Sequence, residues 1–217
     1  LNIPDFVDRL PQRPVVGAFT ATATSEVRED IQRLLELEAP LSITTGFDRD
    51  NLYLEVCRPS VKRVELLARV RERPGECGIV YCSTRKNVEE VCQFLQSSGI
   101  SATRYHAGLE PEERQQNQED FLFDRVQVMV ATNAFGMGID KSDVRFVIHY
   151  NMPKDLESYY QEAGRAGRDG AEARCILLYS GQDVRTAQFL ISQSEPSEQL
   201  EPETARQLQE RDLGRLK

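Results

Sequence analysis

Short apolar segments alternate with amphipathic segments between residues 77 and 179, and this order restricts the fold more than any other feature. The segment CGIVYC at 77–82 is apolar at almost every position, which is typical of a strand buried on both faces. The next segment carries apolar side chains at helical spacing and then a glycine stop: Val88, Val91, Cys92, Leu95 and Gly99. The repetition of strand and helix predicts an α/β fold, in which helices flank a parallel sheet.

Other segments extend this order. Strands are predicted at 13–19, 41–45, 52–57, 77–82, 126–132, 144–150 and 173–179, and ATRYHAGL is predicted as a strand that runs into a glycine loop. Helices are predicted after Thr24, at 60–73, between the strand at 77–82 and Gly99, after Pro111 and at 155–167. From about residue 195 the chain becomes polar, which indicates a linker.

Composition narrows the class of protein. The 217 residues suit one domain, or one domain and part of another, and 40% hydrophobic with 29% charged residues is a balance that can bury a core. No apolar run approaches the roughly 18 residues of a membrane span, and the start of the chain does not resemble a signal peptide. Because the chain begins at Leu1, we expect a processed or excised fragment.

Charge and cysteine content bear on partners and setting. The net charge of −8 argues against a protein that is basic throughout, although it leaves room for a local basic site. The five cysteines include no CxxC pair, so no zinc site is expected, and four of them lie in apolar stretches. This usage predicts a reducing, cytoplasmic setting.

Unusual loops follow several of the predicted strands, where ligands of parallel sheets bind: TATAT, CSTRK, HAGL, ATNAFGMGID and YNMP. A further stretch, QEAGRAGRDG at 161–170, places Arg165 and Arg168 one helical turn apart between glycines. Gly164 and Gly167 remove side-chain bulk, and a guanidinium fork matches phosphate oxygens. The pattern predicts two arginines on one helical face that bind a triphosphate.

These stretches resemble the motifs of superfamily 2 helicases. QEAGRAGRDG resembles motif VI in the form of the RecQ family of DNA helicases, whereas DEAD-box RNA helicases usually open this motif with His-Arg. AFTATAT resembles motif III, GIVYCSTRK motif IV and VMVATNAFGMGIDK motif V, with YHAGL between the last two. The resemblance covers residues 13 to 193 and implies an ATP-dependent 3′–5′ DNA helicase of recombination and repair, built from two RecA-like lobes.

The resemblance assigns ATP chemistry to part of this set. It implies that Arg168 is the arginine finger, that Arg165 is a second phosphate contact and that Gln161 helps to position them. Gly138 and Asp140 would belong to the nucleotide side of the cleft, with Asp140 accepting a hydrogen bond from a ribose hydroxyl. ATP and Mg²⁺ would be held mainly by another lobe.

The remaining assignments concern DNA and coupling. Arg85, Thr84, His106, Thr132 and Asn133 are the candidate contacts to the DNA backbone. Ser83 or Thr84 also suits an N-cap, His106 suits a structural role as well, and His149 is interpreted as structural. Three residues of motif III are candidates for coupling the ATP and DNA sites: Thr20, Thr22 and Thr24.

The chain contains neither a G-x-x-x-x-G-K-[ST] phosphate loop nor an acidic D-E-x-H segment for Mg²⁺. We therefore expect residues 1–57 to be the end of a first lobe, 58–193 a second lobe and 194–217 a linker towards a further module. The expected partners are DNA and the rest of lobe one, with no membrane. Alone, this polypeptide is expected not to hydrolyse ATP and not to bind zinc.

Three alternatives remain open at this level. The chain could be a lobe of an RNA helicase, or a helicase-like module that only binds DNA or a partner. A dinucleotide-binding oxidoreductase is the third, although GMG lacks the third glycine of that fingerprint because Lys141 follows. The helicase would act in the cytoplasm, on the nucleoid of a bacterium or in a eukaryotic nucleus.

Overall fold

The computed structural model describes residues 3–20, 23, 25–44, 49–136 and 141–185. They fall into two units, Leu1–Arg49 and Asp50–Lys217. Thr22, Thr24, Gly138, Asp140 and the expected linker lie outside the described residues.

In the first unit, the structure describes two helices, α1 (Ile3–Val7) and α2 (Ser25–Leu34). The predicted helix after Thr24 is confirmed, although its apolar residues Val27 and Leu34 are exposed. Arg13 reaches the end of α2, where its guanidinium donates to the carbonyl oxygen of Glu36 at 2.7 Å.

The strands predicted at 13–19 and 41–45 are wrong for the residues described there. Residues 13–19 and 41–44 form no regular element, and Val15, Phe19 and Leu41 are almost fully exposed. A strand needs a hydrogen-bonded neighbour to be stable, and none of the described residues pairs with either segment. Local apolar pattern alone therefore does not make these segments strands.

The second unit alternates strands and helices. Its elements are β1 (Leu52–Cys57), α3 (Lys62–Arg71), β2 (Gly78–Tyr81), α4 (Arg85–Ser97), β3 (Ala102–Tyr105), α5 (Pro111–Leu122), β4 (Val128–Ala131), β5 (Phe146–His149), α6 (Leu156–Ala163) and β6 (Ala173–Leu178). The strands form one sheet in the order β1-β6-β5-β2-β4-β3, and every neighbouring pair is parallel. The predicted parallel α/β architecture is confirmed.

The strand LYLEVC lies in the second unit rather than the first. β1 pairs with β6 over its whole length, from Leu52 opposite Ala173 to Cys57 opposite Leu178. The division between the units therefore falls after Arg49 and not at the predicted residue 57. Sequence order misled here because β1 joins the sheet beside the last strand.

Both faces of the sheet are covered. On one face, α3 and α4 contribute Leu66, Val70, Val88 and Leu95 to a buried cluster, while α5 and α6 contribute Phe121 and Ala163 on the other. β2 is buried at every position, as the apolar run at 77–82 predicted, and β5 is also buried at every position. None of the described helices is long and apolar enough to cross a membrane.

The buried cysteines behave as small apolar residues. Cys77, Cys82, Cys92 and Cys175 are buried, as predicted, and Cys57 is half-buried. Burial raises the pKa of the Cys77 and Cys92 thiols to about 11, so both are neutral near pH 7.

Gly78 is required where β2 passes the ring of Phe146 on the neighbouring strand. A Cβ added at Gly78 would lie 2.0 Å from a ring carbon of Phe146, whose side chain is buried. We expect Gly78→Ala to lower the free energy of unfolding by about 1–3 kcal/mol, measured by urea denaturation, because the ring must move in a packed core.

Gly181→Ala is the matched control. A Cβ at Gly181 would meet no heavy atom within 4 Å, so a change within about 0.5 kcal/mol is expected. Equal unfolding free energies for the two variants would contradict this account of the packing between β2 and β5.

Candidate functional site

The carboxyl ends of β2, β3, β4 and β5 place four loops at one edge of the sheet, because the strands are parallel. Three of these loops contain predicted DNA-binding residues. Thr84 and Arg85 follow β2, His106 follows β3, and Thr132 and Asn133 follow β4. The structure therefore brings the predicted DNA-binding residues to one edge, as the sequence indicated.

The loop after β2 is an exposed helix start. Ser83, Thr84, Arg85 and Lys86 are all exposed, and the Thr84 side chain accepts a hydrogen bond from the backbone N–H of Asn87 at 3.1 Å. Thr84 is thus the N-cap of α4, as one of the two interpretations predicted. Capping leaves the exposed cations beside the positive end of the helix dipole, an arrangement that favours an anionic ligand.

His106 braces the neighbouring loop from inside. Its ring is buried, and Nδ1 accepts a hydrogen bond from the backbone N–H of Gly108 at 3.1 Å. Because Nδ1 accepts, the ring proton lies on Nε2, which donates to Glu89 at 2.7 Å. Both nitrogens are therefore engaged within the protein, and the predicted contact of His106 with DNA remains a prediction.

Arg85 lies against the loop that His106 holds. A Cβ built on Gly108 would come within 3.0 Å of the Arg85 guanidinium, so the glycine leaves room for it. The loops after β2 and β3 are therefore in contact. Thr132 is half-buried and its backbone N–H donates to the carbonyl oxygen of Tyr105 at 3.1 Å, whereas Asn133 is exposed.

Asn151, which the sequence did not single out, connects the loop after β5 to the loop after β2. Its Oδ1 accepts from the backbone N–H of Ser83 at 3.1 Å and from the side chain of Asn87 at 3.0 Å. Its amide donates to Asp183 at 3.4 Å. The position of Asn151 in the predicted YNMP loop was the one signal available.

Asp183 anchors this network. Lys62 donates to its carboxylate at 2.7 Å and also to the carbonyl oxygen of Tyr150, while the hydroxyl and backbone N–H of Ser180 donate to the same carboxylate oxygen. Burial favours the neutral acid, but the hydrogen bonds from Lys62 and Ser180 outweigh it and hold the pKa of Asp183 below its usual value. No pattern in the sequence indicated this residue.

The arginine segment, QEAGRAGRDG at 161–170, differs from its prediction. Helix α6 ends at Ala163 rather than continuing through residue 167, and the chain turns at Gly167, whose φ is +56°. Arg165 and Arg168 therefore do not share a helical face. Arg165 is half-buried, whereas Arg168 and Gln161 are exposed.

Gly167 permits a close approach, as predicted, but the neighbour is the chain itself. A Cβ there would lie 2.6 Å from both the carbonyl oxygen of Ala171 and the amide of Asn51. The Asn51 amide donates to the carbonyl oxygens of Gly167 and Ala171, both at 2.8 Å. Residues 167–171 are therefore held beside the start of β1.

Backbone contacts place the end of the arginine segment, residues 167–169, away from the carboxyl edge. The N–H of Gly167 donates to Val144 at 2.8 Å and that of Asp169 to Ser142 at 3.2 Å, and both acceptors precede β5. Arg145 adds an ion pair with Asp169. Residues 167–169 thus lie at the amino-terminal side of β5, opposite the edge that carries Arg85.

Arg165 packs against the start of the loop after β4. Its Nη1 donates to the carbonyl oxygen of Gly136 at 2.7 Å, and a Cβ at Gly136 would lie 2.1 Å from Nη2. Gly136 is buried with φ +142°, so both space and backbone conformation require glycine. No sequence pattern distinguished this glycine from its neighbours.

Lys141 also lies between β4 and β5 and forms ion pairs from a buried side chain. The Lys141 side chain is 5% exposed, and its ammonium lies 2.7 Å from Asp124 and 3.1 Å from Asp143. These carboxylates and Cys77 are close enough together to share a metal ion, but the ammonium already supplies the positive charge. Burial opposes that charge, and the hydrogen bonds to Asp124 and Asp143 still raise the pKa of Lys141.

Of the remaining predicted residues, Thr20 is exposed in the first unit. Thr22, Thr24, Gly138 and Asp140 have no described position. The roles assigned to them stay predictions.

Comparison with known proteins agrees with this architecture. Residues 61–170 match the model of the helicase conserved C-terminal domain. The chain is 48% identical over 197 residues to the ATP-dependent DNA helicase RecQ of Bacillus subtilis, and 45% identical over 188 residues to the ATP-dependent helicase SGS1 of Saccharomyces cerevisiae. These alignments cover 91% and 86% of this chain, but 33% and 13% of the two relatives.

A solved structure shares the fold. Saccharomyces cerevisiae Dbp5, bound to RNA and ADP BeF3, superposes with a TM-score of 0.64 over 90% of this chain and 54% of its own, at 20% identity. The chain therefore has the RecA-like architecture of a helicase lobe, and it spans about a third or less of the two sequence relatives.

The pKa of Asp183 predicts how stability depends on pH. A lowered pKa contributes stability that is complete above the unfolded-state value of about 3.9 and is lost as the pH falls through the folded-state value. We expect Asp183→Asn to lower the free energy of unfolding at pH 7 by roughly 3 kcal/mol, since Lys62 loses its buried partner. The difference from wild type should shrink below about pH 4 in urea titrations.

Asp120→Asn provides the control, because the ion pair between Asp120 and Arg125 is partly exposed. A change of about 1 kcal/mol or less is expected for it. A difference between Asp183→Asn and wild type that stays constant from pH 7 to about pH 3 would contradict the account of Asp183.

Proposed function

The chain belongs to the family of the helicase conserved C-terminal domain, and from this we propose that it forms the second RecA-like lobe of an ATP-dependent DNA helicase of the RecQ type. In this proposal the lobe moves 3′ to 5′ along DNA within a longer protein. Another lobe holds most of the ATP and its Mg²⁺. The protein acts in recombination and repair, in the cytoplasm of a bacterium or the nucleus of a eukaryote.

The observation that carries the proposal is the arrangement of the two arginines. Arg165 is fixed to the Gly136 carbonyl oxygen, whereas Arg168 is exposed three residues further on. Gly167 and Asn51 hold the backbone between them in one conformation. An exposed guanidinium on a backbone held this firmly is preorganised to meet a charged group from outside the lobe.

We assign Arg168 the role of arginine finger, with Arg165 and Gln161 orienting it. A cation that neutralises charge on the transferring phosphoryl group accelerates hydrolysis by roughly 10³–10⁵-fold. This corresponds to about 4–7 kcal/mol of the activation barrier, far above the 1 kcal/mol or less of a surface ion pair. Gly138 and Asp140 would complete the nucleotide side of the cleft.

The DNA backbone is proposed to bind at the carboxyl edge. Arg85 and Lys86 supply exposed cations there, and the N-terminus of α4 supplies a dipole of the same sign. Thr84, Thr132 and Asn133 contribute hydrogen-bonding groups to the same edge, with His106 acting as a brace. This local arrangement suits phosphate although the chain carries a net charge of −8.

In this proposal, two segments couple the ATP site to the DNA site. The loop after β4 begins at the carboxyl edge with Thr132 and reaches Arg165 at Gly136, so it connects the two proposed sites. The threonines of motif III, Thr20, Thr22 and Thr24, would serve the same purpose in the first lobe. An RNA helicase lobe and a non-catalytic binding module are the alternatives that the experiment must separate.

The experiment uses a chimera in which this chain replaces the matching 197-residue segment of the Bacillus subtilis RecQ helicase. We expect the chimera to hydrolyse ATP when single-stranded DNA is added, and less when RNA is added. Arg168→Ala should lower kcat by roughly 10³-fold or more with little change in ATP affinity, because the finger acts on the transition state. Turnover is measured by phosphate release and affinity by a fluorescent nucleotide.

Arg125→Ala is the matched control, since Arg125 is an exposed arginine in a surface ion pair. Its turnover should stay within about twofold of the unsubstituted chimera. Wild-type turnover by Arg168→Ala would remove the finger assignment, and a chimera that binds DNA without hydrolysing ATP would favour the non-catalytic module. The chain by itself is expected to release no phosphate.

A further inference from the structure

A buried ionisable pair joins the end of β5 to the last turn of α6, just before the two arginines. His149, the last residue of β5, is 1% exposed, and its Nε2 lies 2.9 Å from a carboxylate oxygen of Glu162 near the end of α6. The Glu162 side chain is itself only 12% exposed. This contact ties the last turn of α6 to the centre of the sheet.

The pair carries an energetic cost that stability alone does not explain. Among the described residues, two buried side-chain nitrogens lack a hydrogen-bond partner, and they are Nδ1 of His149 and Nε of Arg165. A buried nitrogen without a partner is unfavourable, and apolar side chains of similar volume often replace a buried ion pair without loss of stability. Apolar side chains at these two positions would therefore pack α6 on the sheet as well as the polar pair does.

The backbone of the arginine segment is hydrogen-bonded to the same helical turn. The N–H of Arg165 donates to the carbonyl oxygen of Glu162 at 3.2 Å, and that of Ala166 donates to Ala163 at 3.0 Å. Any rotation of this turn is transmitted to Arg165 and to the residues that follow it. The orientation of the Glu162 carboxylate thus bears on where the two arginines point.

The His149 ring also reaches the loop after β4. It stacks on Tyr81 with ring centroids 5.6 Å apart, and the Tyr81 hydroxyl donates to the carbonyl oxygen of Phe135 at 3.1 Å. The next residue, Gly136, accepts the hydrogen bond from Arg165. The His149 ring therefore contacts a residue on each side of the hydrogen bond between Arg165 and Gly136. Glu162 accepts from the backbone of Arg165, and Tyr81 donates to the residue before Gly136.

We propose that His149 and Glu162 are a positioning pair that sets the arginine segment for ATP hydrolysis, an inference that rests on the proposed function. The Nε2–H of His149 orients the Glu162 carboxylate, which fixes the last turn of α6. That turn holds Arg165 on Gly136 and sets the start of the backbone that carries Arg168. Neither residue of the pair touches ATP.

The test replaces the pair by apolar residues of similar size, His149→Phe with Glu162→Met, in the helicase chimera. Because no buried charge is left unpaired, the melting temperature should be unchanged or higher. We expect kcat for ATP to fall by about tenfold or more while KM stays within about twofold. Wild-type kcat in this double variant would overturn the proposal, as would a fall in KM and kcat that tracks a lower melting temperature.

Three further variants separate pairing from simple disturbance. His149→Gln retains an N–H near the place of Nε2 and should recover most of the turnover that His149→Phe loses. The double variant should lose no more turnover than His149→Phe or Glu162→Met alone, because each single substitution removes the same interaction. Glu65→Met, which removes a helix carboxylate bonded to Arg69 at 2.7 Å, should change turnover by less than about twofold.

A second measurement on this chain does not depend on helicase activity. In ¹H–¹⁵N spectra, the double substitution should shift or broaden the amide signals of Ala166 and Gly136 and leave that of Leu95, in the other cluster, unchanged. Unchanged signals at Ala166 and Gly136 would overturn the positioning role. If the unsubstituted chimera is inactive, the proposed function fails, and these spectra still decide whether the pair sets the arginine segment.

Discussion

Parallel hydrogen bonding of β2 to both β4 and β5 is the constraint on which the second unit depends. A strand paired on both sides, within a sheet covered on both faces, has to be apolar at every position, and Gly78–Tyr81 is buried throughout. Parallel neighbours also require crossover helices, which is why α4, α5 and α6 lie on the two faces. The same geometry sends every loop that follows a strand to one edge and every loop that precedes a strand to the other.

This separation places the loops that follow the strands on one side of the sheet and residues 167–169 on the other. The carboxyl edge gathers Arg85, the His106 brace and Asn151, while Gly167 and Asp169 are fixed at the opposite side by contacts with Val144 and Ser142. Residues 132–136 follow β4 at the carboxyl edge, and the Arg165 guanidinium donates to the carbonyl oxygen of Gly136 at their end.

Much of this could be predicted because local pattern and burial agree. Continuous apolar runs such as 77–82 identified the buried strands, and glycine and hydroxyl residues at strand ends identified the loops. The prediction was wrong at 13–19, where an apolar run has no pairing partner among the described residues, and at residue 57, where β1 pairs with a strand more than a hundred residues away. Pairing is a long-range property that no local window contains. The shared helical face of Arg165 and Arg168 was wrong for a related reason, since tertiary hydrogen bonds to Gly167 end the helix before residue 167. Glu162 and Gly136 lie in stretches that the sequence singled out, but nothing local distinguished them, because their partners are 13 and 29 residues away. Asp183 had no signal because its partner Lys62 is 121 residues away.

The central claim is that Arg168 belongs to a composite ATP site of which this lobe forms one side. The most direct measurement is a crystal structure of the helicase chimera with ADP, beryllium fluoride, Mg²⁺ and single-stranded DNA. The account predicts that the Arg168 guanidinium lies within about 3 Å of the fluoride that takes the place of the terminal phosphate. It also predicts that Arg165 lies beside it and that Arg85 is on the DNA. A closed nucleotide site in which Arg168 points to solvent, or in which a cation from another segment takes its place, would contradict the account.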